Sequence, residues 1–106
     1  MIKRIVKLTF DPRRTGDFLA LFRESKPRIL GFPGCRHVEL LRCTDPDNVF
    51  FTYSFWEDAA ALEAYRTSDL FRSTWSRTKP LFADKPQAWS VVDWAGGGDG
   101  HAGVSA

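Results

Sequence analysis

Hydrophobic and polar residues alternate with a period of two in two stretches of the chain, and two later stretches carry large residues on both faces, so the pattern predicts four β-strands. The stretches cover residues 2–10, 35–43, 49–56 and 88–94. The third is almost entirely β-branched or aromatic, which makes it the strongest strand signal in the sequence. Turn-forming clusters rich in Gly, Pro, Asp and Asn separate the second strand from its neighbours.

Helical spacing of apolar residues appears between these strands. We expect Thr15 to cap a first helix that ends at Gly31, Asp58 to cap a helix running through Tyr65, and Ser68 to cap a third. A core-facing stripe on the third helix consists of Phe71, Trp75, Thr78 and Phe82. The predicted order is strand, helix, strand, strand, helix pair, strand.

This order predicts an α+β domain with a ferredoxin-like βαββααβ arrangement and a four-stranded antiparallel sheet. Alternation places Phe51, Tyr53 and Phe55 on one face of the third strand and Phe50 and Trp56 on the other. Because one layer of helices covers only one face of a sheet, the second apolar face needs another cover. A second copy of the chain provides one, so we predict a homodimer.

The length of 106 residues fits one domain, which we assign to residues 1–95, followed by a flexible Gly-rich C-terminal tail at 96–106. A net charge of +2 is too small to predict a nucleic-acid surface. No apolar run reaches the ~20 residues of a membrane span, so we predict a cytoplasmic protein without membrane contact. Cys35 and Cys43 would lie roughly 26 Å apart along one strand, which predicts two reduced thiols.

Three segments resemble the antibiotic biosynthesis monooxygenase (ABM) domain family: GFPGCRHVELL (31–41), FFTYSFWEDAAALEAYRTSDLF (50–71) and KPLF (79–82). The resemblance extends from about Ile2 to Trp94. It implies a dimeric α/β barrel built from two ferredoxin-like sheets. Proteins similar to this family include cofactor-independent oxygenases acting on polycyclic phenols or quinols, haem-degrading enzymes, isomerases and members without an assigned role.

The haem-degrading branch is not favoured by the residues of this chain. Its characteristic Asn, Trp and His align with Val6, Tyr65 and Trp75, and none of the three matches. Because the axial histidine is missing, we expect no haem binding of that kind. The sequence also lacks a metal-ligand cluster and a phosphate-binding glycine motif, so an enzyme of this type would work without a cofactor.

The candidate catalytic residues are His37 and Tyr65. His37 has an unperturbed pKa near ~6.5, which suits a general base, and residue parity places it on one face with Cys35 and Glu39, so Glu39 can orient it. The alternative is a half-buried strand histidine at the dimer face. The family resemblance makes Tyr65 a cavity residue, with core packing as its alternative.

The candidate substrate-binding residues are aromatic: Trp75, Tyr53 and Phe71. The resemblance places Trp75 in a cavity, and each of the three can instead be core. The family resemblance thus implies a cofactor-independent monooxygenase-like protein that acts on or binds a planar aromatic or quinol-type small molecule. The alternative is a non-catalytic ligand-binding or assembly module of the same fold.

Overall fold

A computed structural model of the protein describes residues 1–94, so the predicted tail at 96–106 lies outside the described residues. The elements follow the predicted order. They are β1 (Ile2–Thr9), a 3-10 turn (Pro12–Arg14), α1 (Thr15–Leu30), β2 (Cys35–Arg42), β3 (Val49–Trp56), α2 (Ala59–Arg66), α3 (Asp69–Thr78), a second 3-10 turn (Lys79–Leu81) and β4 (Gln87–Val91). No helix within residues 1–94 is long and apolar enough to span a membrane.

The four strands form one sheet with the order β2-β3-β1-β4, and every neighbouring pair is antiparallel. The central pair is in continuous register from Ile2 opposite Trp56 to Thr9 opposite Val49. This arrangement confirms the predicted ferredoxin-like α+β fold. The helices pack against one face of the sheet, which we call the helix face; the opposite side is the outer face.

The core lies between the helix face and the helices, in two clusters of buried side chains. One cluster consists of Leu8, Phe10, Phe18, Phe50 and Leu81, and the other of Ile29, Val38, Trp56 and Leu62. Full burial of one such side chain stabilises a fold by about 1.5–3 kcal/mol. Phe50 and Trp56, on the helix face of β3, therefore hold the helices against the sheet, as the sequence predicts.

Two of the three predicted helix caps are confirmed. The Asp58 carboxylate accepts a hydrogen bond from the Ala61 amide at 2.8 Å, and the Ser68 hydroxyl accepts one from the Phe71 amide at 3.1 Å. The prediction for Thr15 is wrong. Asp11 accepts from the Arg13 amide and begins a 3-10 turn that leads directly into α1, so Thr15 follows a turn that is already capped.

A β-bulge at the start of β2 changes which residues share a face. Cys35 lies opposite Trp56 and His37 lies opposite Phe55, so two steps along β2 match one step along β3. Arg36 is the extra residue. Cys35 consequently packs with the helix-side core while His37 and Glu39 lie on the outer face, and the predicted common face for Cys35 and His37 is wrong. Both cysteines are free, as predicted.

The outer face carries the second set of bulky side chains. Register aligns Leu41 with Phe51 across β2 and β3, and Ile5 with Tyr53 and Trp89 across β3, β1 and β4. Leu41 and Trp89 are each 46% exposed. The apolar outer face predicted from the alternation is therefore present, and within the single described chain it is uncovered.

The last strand is shorter than predicted. It ends at Val91, and the following Val92 and Trp94 are 63% and 80% exposed. Val91 pairs with Lys3, the second residue of β1, so almost no residue of β1 is left for a longer β4 to pair with.

Candidate ligand cavity

A cavity of about 360 Å³ lies between the helix face of the sheet and the helices. Its size falls within the range of small-molecule sites. Apolar and aromatic side chains from every helix and from β1, β2, β3 and β4 form most of its wall. The exposed residues Arg66 at the end of α2 and Ala88 in β4 also line it, so the cavity opens between these two elements.

Tyr65 forms part of this wall and is held by three other aromatic rings. Its ring stacks on Trp56 with centroids 4.8 Å apart and an interplanar angle of 24°. Phe32 and Phe71 meet it edge-on at 5.5 and 5.3 Å. This packing fixes the ring, and the Tyr65 hydroxyl has no hydrogen bond to any residue between 1 and 94. The hydroxyl is therefore available to a ligand.

The surroundings of Tyr65 also determine its protonation state. Burial is the main cause that raises its pKa to about 12, and Cys35 contributes a smaller electrostatic effect in the same direction. At neutral pH the phenol thus keeps its proton. Tyr65 is equipped to donate a hydrogen bond and not to act as a base.

Phe71 and Trp75 lie one helical turn apart on α3 and both line the cavity. Their rings stack at 5.8 Å with an interplanar angle of only 12°. The structure thus brings three of the five candidate residues, Tyr65, Phe71 and Trp75, to one wall, which suits a flat ligand. Their assignment to ligand binding or catalysis stays a prediction.

Three neutral polar side chains of the wall form hydrogen bonds to other groups of the protein. The Ser54 hydroxyl accepts a hydrogen bond from the Trp56 indole at 3.0 Å, and Ser25 and Thr78 donate to the carbonyls of their own helices at 2.8 and 2.7 Å. These bonds meet the requirement that buried polar groups be paired. The hydroxyls of Thr52, Thr74 and Tyr65 also line the cavity and make no hydrogen bond within residues 1–94, so all three are available to a ligand.

His37 and Tyr53, the other two candidates, lie on the outer face. The His37 Nε2 atom is 2.8 Å from the Glu39 Oε1 atom, so the predicted contact between these side chains is present. The His37 ring lies 4.8 Å from Phe55, which in turn meets Tyr53 edge-on at 4.9 Å. The sheet separates this group from the cavity, so within one chain His37 and Tyr65 cannot act on the same ligand.

Two arginines at the cavity were not among the candidates from sequence. Arg4 lies on the helix face of β1, between Ile2 and Val6, and Arg66 is the last residue of α2; both line the cavity. The sequence contained a signal for Arg4. It is the one charged residue on the face of β1 that otherwise carries Ile2, Val6, Leu8 and Phe10.

Acidic and metal-binding groups are not assembled at this site. The cavity wall contains no Asp, Glu or His side chain from the described chain. Among residues 1–94, no three His, Cys, Asp or Glu side chains are grouped so that they could hold a metal ion. The groups that residues 1–94 place in the cavity wall are arginines, hydroxyls and aromatic rings.

Comparison with solved structures identifies the same fold in other proteins. A Caulobacter crescentus protein provisionally named an antibiotic biosynthesis monooxygenase is 20% identical, with a TM-score of 0.80 over 85% of this chain and 86% of that one. One from Bordetella bronchiseptica, named in the same provisional way, is 24% identical, with a TM-score of 0.79 over 87% and 95%. A conserved Methanosarcina mazei protein is 16% identical, with a TM-score of 0.81 over 85% and 89%.

Sequence comparison adds the family. None of the curated proteins matches this sequence. The family model described as "Antibiotic biosynthesis monooxygenase" matches residues 1–75, which include β1, α1, β2, β3, α2 and the Phe71 and Trp75 side chains of the cavity wall. Because the match covers most of the chain, the protein belongs to the antibiotic biosynthesis monooxygenase (ABM) family.

Proposed function

We propose that the cavity binds a planar aromatic or quinol-type small molecule and that the protein oxidises it with dioxygen without a cofactor. The observation that carries this proposal is the 360 Å³ cavity with stacked aromatic rings and one free phenolic donor in its wall. A flat apolar ligand gains from burial there and from face-to-face contact with the rings. Family membership supports the reaction type.

The reaction can be balanced without an added electron carrier. A hydroxyanthrone loses a proton, and its anion transfers one electron to dioxygen, giving a substrate radical and superoxide. Their combination forms a peroxide anion at the ring methylene carbon, the anion takes up the proton released in the first step, and loss of water leaves a carbonyl there. The methylene carbon is oxidised, one oxygen atom becomes the carbonyl oxygen, and the other leaves as water with the two methylene hydrogens.

Tyr65 is assigned as a hydrogen-bond donor in this scheme. Its pKa of about 12 keeps the phenol protonated, so it can donate to the oxygen atom on which negative charge develops. Removal of one such donor typically lowers a rate by about 10²–10³ at a well-formed site. We expect Tyr65→Phe, which keeps the ring stacking on Trp56, to lower oxygen uptake at least tenfold.

The role of His37 as a general base stays a prediction, and the position of His37 determines where its substrate would have to bind. On the outer face it can act only on a ligand bound there, beside Phe55 and Tyr53. Oxygen uptake with a hydroxyanthrone should be compared in Tyr65→Phe, His37→Ala and the matched variant Tyr53→Phe. Loss in Tyr65→Phe alone supports the cavity, whereas loss in His37→Ala and Tyr53→Phe alone moves the reaction to the outer face.

One observation favours a second candidate, a non-catalytic ligand-binding module. The part of the wall formed by residues 1–94 lacks a carboxylate or imidazole that could remove a proton from the substrate. If the hydroxyanthrone binds with micromolar affinity, Trp75→Ala weakens that binding, and oxygen uptake equals that of a protein-free solution, the module is the correct assignment. Absence of binding would reject both candidates.

We also propose that a second copy of the chain covers the outer face. Leu41, Trp89 and Val91 are 46%, 46% and 39% exposed on that face, and an apolar surface of this kind is typical of a subunit interface. Light scattering should give about twice the 12.0 kDa chain mass. Phe51→Asp, on the outer face, should give a folded monomer, whereas Phe50→Asp, only 1% exposed in the core, should fail to fold.

A wild-type monomer at micromolar concentration, or an unaltered mass in Phe51→Asp, would contradict this pairing. The cavity proposal does not depend on it, because the cavity lies on the other side of the sheet.

A further inference from the structure

Two arginines line the mouth of the cavity, and no carboxylate from residues 1–94 lines it with them. Arg4 lies on β1 opposite Ser54 of β3 and Ser90 of β4, and its guanidinium donates a hydrogen bond to the Ser90 hydroxyl at 2.9 Å. Arg66 lies at the end of α2, and both side chains line the cavity. In residues 1–94, no carboxylate lies within ion-pair distance of Arg4.

Arg4 is half-buried, with a positive neighbour and no acidic partner among residues 1–94. Burial, and after it the positive charge of Arg66, lowers the pKa of Arg4, although a guanidinium remains charged at neutral pH. Arg66 has one acidic neighbour, Glu63, at 3.4 Å and on the exposed side of the helix. An anion placed between the two arginines would offset both effects.

From this juxtaposition, and resting on the proposed function, we infer that the ligand of the cavity is an amphipathic acid. Its planar apolar body lies against Tyr65, Phe71 and Trp75, and its carboxylate is bound at the mouth by Arg4 and Arg66. The guanidinium group has a planar array of donors that matches a carboxylate with two parallel hydrogen bonds. The two arginines therefore orient the ligand, and they select acids over neutral compounds of the same shape.

The structural alternative is that Arg4 only covers the apolar wall with its methylene groups while its charged end reaches water. The two roles differ in the ligand preference that they predict. A covering role would give equal binding of charged and neutral ligands, whereas an anion site would give a charge preference that disappears with the arginines.

Binding of 2-naphthoate and its neutral isostere 2-naphthamide should be measured by calorimetry on the full chain. The wild type should bind the carboxylate at least tenfold more tightly, and this preference should decrease with added salt. Arg4→Gln and Arg66→Gln should each reduce the preference at least threefold, and Arg4→Lys should retain part of it. Arg23→Gln, exposed on α1 and away from the cavity, is the matched control and should retain all of it.

Each outcome decides between the proposals. Equal binding of the two compounds by the wild type overturns the anion site and leaves the aromatic cavity standing. A preference that persists in both Gln variants overturns the assignment to Arg4 and Arg66. Binding of neither compound overturns the anion site and the proposed function together. If Arg4→Gln does not fold, Arg66→Gln decides the question, since Arg66 is exposed and its removal leaves the core unchanged.

Discussion

Replacement of Gly34 by alanine should destabilise the fold through two separate effects. Gly34 lies in the turn between α1 and β2 with a φ of +88°, a backbone conformation that L-residues adopt only at a cost. A methyl group at this position would also lie 2.5 Å from the Ala61 Cβ atom on α2. The Gly34 carbonyl accepts a hydrogen bond from the Glu57 amide at 2.9 Å, so this turn is tied to the end of β3.

The expected size of the effect follows from the φ of Gly34 and from the 2.5 Å separation between the two methyl carbons. The left-handed backbone costs an L-residue about 1–2 kcal/mol. Carbon atoms prefer separations of about 3.5–4.0 Å, so the two methyl groups must move apart by roughly an ångström, and such overpacking costs about 1–3 kcal/mol. We therefore expect Gly34→Ala to lower the free energy of unfolding by about 2–5 kcal/mol.

Urea unfolding followed by far-ultraviolet circular dichroism measures this change, and two variants separate its causes. Gly16→Ala, in the first turn of α1 with no atom within 4 Å of the added Cβ, should be neutral or stabilising by up to about 1 kcal/mol. Ala61→Gly removes the methyl that Gly34→Ala meets. The double variant should be more stable than the sum of the single changes predicts, by about 1–3 kcal/mol.

The reasoning would be refuted if Gly34→Ala were as stable as Gly16→Ala. A double variant that showed simple additivity would refute only the contact between positions 34 and 61.

Two further predictions concern α3 and the cavity wall. Ser68→Ala removes the cap of α3 and should lower the free energy of unfolding in urea by about 1 kcal/mol. Its control is Ser73→Ala, exposed within the same helix, which should be neutral or slightly stabilising. Equal effects of the two changes would contradict the capping role. Because the pKa of Tyr65 is raised to about 12, the folded chain keeps the phenolic proton above pH ~10, where the unfolded chain releases it. The free energy of unfolding should therefore fall by about 2–3 kcal/mol between pH ~10 and ~12. Tyr65→Phe should remove this part of the pH dependence, and an unchanged slope in that variant would contradict the assignment.

The sequence predicted the elements well where one periodicity persists over many residues. The alternation in β3 correctly separated Phe50 and Trp56 from Phe51, Tyr53 and Phe55, because a regular strand has a strict period of two. β2 behaved differently at its start. The extra residue at the bulge shifts the alternation by one position, so Cys35 lies on the opposite face from His37.

The candidate site required information that periodicity does not contain. Tyr65, Phe71 and Trp75 could be placed on helices from sequence, but the contact between two helices that brings them to one wall depends on tertiary packing. The same limitation separated His37 from Tyr65, since their positions relative to the sheet were not fixed by residue types. Arg4 was visible as a charge on an apolar strand face, yet the role that we propose for it depends on Arg66, which lies 62 positions further along the chain.

The different environments of the tryptophans give the protein two built-in optical reporters. Trp75 lies in the cavity wall, and Trp89 lies half-exposed on the outer face. A ligand entering the cavity should alter the emission of Trp75 and of Trp56, which also lines it, while coverage of the outer face should protect Trp89 from iodide quenching. Single Trp→Phe replacements at these positions would assign each signal, so occupancy of the cavity and pairing of chains can be followed separately in one unlabelled sample.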